Sequence, residues 1–267
     1  MLNTFAAHRR RGLTLVELMI SVAVLSMIVT ALGMMARAVE ISSEYNQSYG
    51  TTTQNARVTM DRIDRAVSQA YSNSSWPGVW ITEDVVGNYN FPDTLVVWRP
   101  SGTAANPQGA PLAGELTIFC PDPAAPSQFV ELTVPGNTTP LPSASNATAF
   151  KTFIDGLKTT AGVNKVQLTS LLYSAGVTGS ATAKSGVRFV ATMNPSDADF
   201  QTYPGVAWNT LPWPQGLCSQ TMGLRQVWVR VELQLLPAGT WIFTGTAAQT
   251  PVPYFGSFVY SYALQKW

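Results

Sequence analysis

Residues 13–36 form an apolar run of 24 residues whose one charged side chain is Glu17. An α-helix needs about 20 such residues to cross a bilayer. Three arginines at positions 9 to 11 precede the run, and Arg37 ends it. Because basic flanks stay in the cytoplasm, the pattern predicts a single-pass helix with the rest of the chain exported. A carboxylate inside such a helix costs free energy, so we expect Glu17 to have a partner.

A short motif follows the arginines: Gly12-Leu13-Thr14-Leu15-Val16-Glu17-Leu18-Met19. It resembles the class III signal of type IV prepilins and type II secretion pseudopilins, with leucine at the position where phenylalanine is commoner. The resemblance implies that a prepilin peptidase cuts after Gly12 and methylates the new amino group of Leu13. It also implies that the Glu17 carboxylate pairs with the N-terminal amine, typically of an adjacent subunit, during filament assembly. Such a pair attracts more strongly in a helix bundle than in water.

The same resemblance implies a noncatalytic minor pilin or pseudopilin subunit, because the abundant subunits of this family are usually shorter. Residues 54–66 resemble the helix of W-type minor pilins and J-type pseudopilins. The expected location is a bacterial inner membrane with the head in the periplasm, and later a type IV pilus or secretion pseudopilus, at its tip. The expected partners are the prepilin peptidase, other pilin or pseudopilin subunits and the inner-membrane assembly platform. No cofactor is expected.

Three alternatives to this interpretation stay open. An ordinary signal peptide would be cut after Ala36-Arg37-Ala38, but its apolar region is usually about 7 to 15 residues long. A plain uncleaved anchor accounts for the length of the run and leaves Gly12 and Glu17 without a role. A membrane-tethered binding module or adhesin would use the helix as an anchor alone, and predicts that Glu17 can be replaced without effect.

The distribution of proline divides the exported part, since all 18 prolines lie at or after Pro77. Together with the cleavage and assembly that the resemblance implies, this predicts four segments: a cleaved leader (1–12), a transmembrane and assembly helix (13–36), a periplasmic amphipathic helix (37–75) and a β-rich head (76–267). The second helix shows an apolar stripe at helical spacing; its members are Ala56, Met60, Ile63, Val67 and Ala70. Residues 49–53 favour helix poorly, so a bend or local unwinding is expected there.

The head is predicted to be an antiparallel sheet structure, which makes the fold class α+β. Apolar and polar residues alternate most plainly over residues 224–236. Further strands are expected around 94–98, 116–120, 130–134, 166–173, 187–191 and 258–264. Residues 150–157 favour a short helix. Long loops are expected at 101–114, 135–149 and 174–186, which are rich in glycine, proline and serine.

Composition argues against several classes of function. Charged residues make up 12% of the chain, against about 25% in typical soluble proteins, and removal of the leader would leave 13 basic and 15 acidic residues. No nucleic-acid partner is therefore predicted. The sole histidine, His8, lies in the leader, so the mature chain would lack the usual catalytic base, and no enzyme is predicted.

Two weaker sites remain in the head. Cys120 and Cys218 are the two cysteines of the chain, and an oxidising compartment favours a disulfide between them, with two separate buried thiols as the alternative. Asp197 and Asp199 offer oxygen ligands and form a weak calcium candidate, although a solvated turn explains them better.

Overall fold

The computed structural model describes residues 14–73, 75–143, 145–180, 183–196, 222–237 and 250–265. The chain forms two compact units, the first reaching Ser48 and the second beginning at Tyr49. Within the described residues, a long N-terminal α-helix is followed by antiparallel β-sheets and a second, short helix. The predicted α+β class is confirmed.

Helix α1 spans Leu15–Ser68 without a break, so the predicted interruption at residues 49–53 is wrong. The reason is tertiary packing of this weak helix-forming stretch. Thr52 is fully buried, and the Thr53 hydroxyl lies 3.1 Å from the Tyr254 hydroxyl in hydrogen-bonding contact. Burial of one face stabilises a helix more than intrinsic propensity does.

The chain leaves the helix after Ser68, earlier than the expected end near residue 75. The Tyr71 amide donates a hydrogen bond of 2.8 Å to the Trp98 carbonyl, and the two rings meet edge to face with centroids 4.7 Å apart. These contacts direct the backbone toward the sheet. The turn before β1 requires glycine at position 78, because its φ is +82° and a Cβ there would overlap the Tyr71 carbonyl oxygen.

The first sheet has five antiparallel strands in the order β1-β2-β3-β4-β5. Its strands are β1 Val79–Val86, β2 Tyr89–Trp98, β3 Leu116–Asp122, β4 Ala125–Thr133 and β5 Asn164–Thr169, and helix α2 spans Ala147–Lys158 before β5. The helix predicted at 150–157 and the strands predicted at 94–98, 116–120 and 130–134 are confirmed, whereas the strand predicted at 166–173 ends at Thr169. Strand β1 was not predicted; its register shifts between Thr82 and Asp84, which disturbs the alternation.

The second sheet has three antiparallel strands in the order β10-β9-β8. Its strands are β8 Val187–Asn194, β9 Met222–Leu235 and β10 Val252–Gln265. Alternation along β9 is confirmed, because its odd-numbered apolar residues from Val227 to Leu235 are all buried. The stretch 174–186, expected to be a loop, contains two short paired strands, β6 Ser174–Ala175 and β7 Lys184–Ser185.

The five-stranded sheet is covered on both faces. One face packs against the predicted stripe of α1 and the inner face of the three-stranded sheet. The other face packs against α2 and neighbouring loops. In β3, Ile118 faces one cluster and Phe119 the other, and both are buried. Apolar alternation in β3 therefore marks two cores rather than a core and a solvent face.

Candidate functional site

The first turn of α1 places Glu17 three residues after Thr14. The Thr14 amide and hydroxyl both donate to Glu17 Oε2, over 2.9 Å and 3.1 Å. In return, the Glu17 amide donates to the Thr14 hydroxyl over 3.3 Å. This reciprocal pair is a capping box, which satisfies amide groups that the first turn of a helix leaves without partners. The carboxylate therefore has a partner within its own chain.

The capping box was detectable in the sequence, because Thr-x-x-Glu before an apolar run is its signature. Sequence reasoning assigned Glu17 to the prepilin motif alone. Both side-chain bonds go to Oε2, and among the described residues Oε1 accepts none. Gly12 and Leu13 lie outside the described residues, so cleavage and methylation there stay predictions.

The apolar part of α1 presents its side chains outward. Every residue from position 14 to position 40 is exposed. Hydroxyls within this part bond back to helix carbonyls: Ser21 to Glu17, Ser26 to Ala23 and Thr30 to Ser26, over 2.7 to 2.8 Å. Polar groups satisfied inside the helix are what a bilayer requires. By length and composition, α1 can cross a membrane.

Residues 7–33 match a family model described as the prokaryotic N-terminal methylation motif. The chain carries a type IV prepilin-like class III signal. The motif supports a pilin- or pseudopilin-type precursor with a membrane-anchoring helix, and it implies processing by prepilin peptidase and assembly with other pilins. Proteins with this motif are structural subunits rather than catalysts. No curated protein and no solved structure matches the chain.

Of the four residues predicted to form sites in the head, Cys120 alone lies among the described residues. Cys120 lies on β3, fully buried in the cluster that includes α2. Burial raises the pKa of its thiol to about 12. Cys218, Asp197 and Asp199 lie outside the described residues, so the disulfide and the calcium site stay predictions. Within the described residues, no group of three histidine, cysteine or acidic side chains is arranged to hold a metal ion.

The second half of α1 is joined to the head by a buried carboxylate. Glu131, on β4, is 4% exposed, and its Oε2 accepts a hydrogen bond of 2.6 Å from Arg62 Nε. The Arg99 guanidinium lies 3.8 Å from the other oxygen. Sequence reasoning missed this ion pair, because 69 residues separate the partners and Glu131 occupies a strand position on an alternating pattern.

A second charged group joins α2 to the strands beside it. Asp84 on β1 accepts bonds of 2.6 Å from Lys151 on α2 and from Lys184 on β7. Burial alone would raise the pKa of Asp84, but the two ammonium groups outweigh it and hold the pKa at about 2. Asp84 lines a polar cavity of about 330 Å³ together with Asp93 and Lys158. Since Lys158 also bonds Asp155, over 2.8 Å, the arrangement fits a stabilising network of ion pairs better than an active site.

Proposed function

We propose that the chain is a noncatalytic minor pilin or pseudopilin subunit that enters a type IV pilus or a type II secretion pseudopilus through its N-terminal helix. The supporting observation is the methylation motif at residues 7–33, which leads into a helix with an exposed apolar surface. Cleavage after Gly12 frees the amino group of Leu13, which the peptidase methylates. The head lies in the periplasm while the subunit waits in the inner membrane.

Glu17 is assigned the central role in assembly. Its Oε2 already holds the capping box, and Oε1 accepts no bond among the described residues. A carboxylate in an apolar helix favours an ammonium group as its partner, because opposite charges attract strongly in a medium of low dielectric constant. The methylated amine of a neighbouring subunit is such a donor, and its pairing fixes the register between apolar helices that would otherwise slide.

Three variants separate this role from simple helix capping. Glu17→Gln keeps a capping box, because glutamine serves at this position, and removes the charge. Thr14→Ala weakens the cap and keeps the charge. We expect Glu17→Gln to lose incorporation into filaments, Thr14→Ala to retain most of it, and Glu44→Gln, an exposed control on the same helix, to behave as the unsubstituted chain. Incorporation is measured by recovery of the subunit in sheared filaments.

The outcome that contradicts the proposal is normal incorporation of Glu17→Gln and Glu17→Ala alike. The membrane-tethered binding module or adhesin would then be favoured, because it needs α1 as an anchor alone. A second measurement is the mass of the N-terminal peptide from protein in its native membrane. A peptide that begins with N-methylated Leu13 supports processing, whereas a start at Val39 indicates an ordinary signal peptide and an intact leader indicates an anchor.

A further inference from the structure

The outer face of the three-stranded sheet carries two arginines on neighbouring strands. Arg188 on β8 and Arg230 on β9 are both exposed. In the register of these strands, Arg188 lies opposite Glu232, and Val190 lies opposite Arg230. The two arginines are therefore diagonal neighbours. Such neighbours lie about 7 to 8 Å apart in an antiparallel pair, so one ligand can contact both guanidinium groups.

The two guanidinium groups take no part in the ion pairs formed among the described residues. Glu232 is the carboxylate directly opposite Arg188, and opposite charges at such positions usually attract. Its Oε1 accepts a hydrogen bond of 2.9 Å from the side-chain amide of Gln234 instead. Because like charges on neighbouring strands repel each other, an anion bound between the arginines would stabilise this face.

Two cavities meet at this point, since Arg188 and Glu232 line both of them. The first, of about 320 Å³, lies beside β2 and the β6–β7 pair and has Phe91 and Tyr173 in its wall. The second, of about 450 Å³, extends toward β10 and is lined by the other arginine and by Phe255. Each volume falls within the range of about 300 to 1,000 Å³ that ligand sites occupy. We call the two cavities together the arginine groove.

Side chains of the first cavity are held in place by their neighbours. Lys184 donates a hydrogen bond of 2.6 Å to Asp84, and its Nζ lies 5.8 Å from the centre of the Phe91 ring. The Gln234 side chain lies against Gly186, where an added Cβ would come within 2.7 Å of the Gln234 Cβ. Glycine at position 186 therefore makes room for this side chain. Groups that are already ordered cost a ligand less to bind.

The chemistry of the arginine groove fits a carboxylated saccharide. Guanidinium groups bind carboxylates through paired, charge-assisted hydrogen bonds. Among the described residues, Glu232 Oε2 accepts no hydrogen bond, and sugar hydroxyls are donors that it can accept. The aromatic rings along the groove offer apolar surface to the C–H face of a sugar ring. A nucleic-acid strand fits less well, because its phosphates would meet the Glu232 carboxylate and offer it no donor.

We propose that the arginine groove binds a carboxylated saccharide, with the carboxylate between Arg188 and Arg230 and hydroxyl groups donating to Glu232. The described residues that line the groove all belong to the head, and none belongs to α1. The inference therefore goes beyond assembly through the N-terminal helix and does not rest on it. A subunit with this site binds acidic polysaccharide both in the membrane and in a filament.

The test is equilibrium binding of the full chain, in detergent, to labelled oligomers of galacturonate and of mannuronate. Their methyl esters keep the sugar backbone without the charge, and should bind more weakly by about tenfold or more. Arg188→Gln and Arg230→Gln should each weaken binding of the charged oligomers by about tenfold. Arg57→Gln, at an exposed arginine on α1, is the matched control and should bind as the unsubstituted chain does.

The variant Glu232→Ala distinguishes a saccharide from an anion that contacts the arginines alone. Loss of this carboxylate removes repulsion from any anion, but it also removes the acceptor that sugar hydroxyls would use. We expect Glu232→Ala to weaken binding of the uronate oligomers. A labelled single-stranded oligonucleotide should bind the unsubstituted chain less tightly than the uronate oligomers, and the same substitution should strengthen that binding.

Four results would overturn the proposal. These are no binding of either uronate oligomer, equal binding of the methyl esters, arginine variants that bind like Arg57→Gln, and tighter binding of the uronate oligomers by Glu232→Ala. Tighter binding of the oligonucleotide than of either uronate would assign the groove to nucleic acid. Glu17→Gln should bind the uronates normally, so loss of filament assembly leaves this inference in place, and absence of uronate binding leaves the proposed function in place.

Discussion

The ion pair between Arg62 and Glu131 predicts unequal effects from removing its two members. Arg62 is 46% exposed at its side chain, whereas Glu131 is 4% exposed. Arg62→Ala leaves a buried carboxylate whose remaining cation, Arg99, lies 3.8 Å away. Glu131→Gln leaves a guanidinium that can turn toward water, and the new amide oxygen can still accept its hydrogen bond.

The magnitudes follow from what each substitution leaves behind. Removing one partner of a fully buried ion pair costs about 3 to 5 kcal/mol. Because Arg62 is half-exposed and Arg99 stays near, we expect Arg62→Ala to cost about 2 to 3 kcal/mol. Glu131→Gln exchanges a charged hydrogen bond for a neutral one, at about 1 kcal/mol. For a domain of this size, 1 kcal/mol corresponds to about 2 to 4 °C in Tm.

The assay is thermal unfolding of the full chain in detergent, followed by the fluorescence of its buried tryptophans. Arg57→Ala, an exposed arginine on the same helix, is the control and should change stability by less than about 0.5 kcal/mol. The double variant Arg62→Ala with Glu131→Gln should cost less than the sum of the two single changes, because no buried charge is left without a partner. The reasoning is refuted if Glu131→Gln costs more than Arg62→Ala, or if Arg62→Ala matches the control.

Three further predictions concern the head. The folded pKa of Asp84, about 2, lies below its ordinary value near 3.9, so the stability that the ionised carboxylate contributes is complete above about pH 4 and lost toward pH 2. In Asp84→Asn the free energy of unfolding, measured across that range, should therefore fall less steeply with acid. Cys120 should resist thiol reagents in the native protein, given its pKa of about 12. Unreduced, denatured protein should take up no thiol label if Cys120 and Cys218 are paired, and two labels would disprove the pair. Gly78→Ala should destabilise by more than about 1 kcal/mol in chemical denaturation, since a Cβ there overlaps backbone; Gly87→Ala, with positive φ and open space, should cost less, and equal costs would contradict the steric argument.

Predictions from the sequence succeeded where burial on one side imposes a period. The stripe from Ala56 to Val67 and the alternation along β9 each have one core face, so spacing alone identified both. Strand β1 has a register shift near Thr82 and was missed. The expected break at residues 49–53 was wrong because local propensity contains no information about the buried environment of Thr52.

Long-range pairs were beyond sequence reasoning for a different reason. Arg62 and Glu131 are 69 positions apart, and no local pattern distinguishes Arg62 from the arginines at 57 and 65. The contact between Thr14 and Glu17 is local and matches a known spacing, so it could have been predicted from the sequence. The difference lies in whether the partner is within one helical turn. Pairing across the sheet requires strand order and register, which the alternation of residues does not specify.

The capping box bears on the free energy of the proposed assembly through Glu17. A carboxylate without any partner would make the waiting subunit costly to keep in the membrane. Thr14 lowers that cost before any neighbour arrives, because its amide and hydroxyl already hold Oε2. In the proposed assembly the neighbouring amine binds Oε1, so the cap on Oε2 and the intersubunit pair can form together. It follows that Thr14→Ala should raise the cost of keeping the free subunit in the membrane while leaving Oε1 for the amine, in agreement with the incorporation expected of that variant.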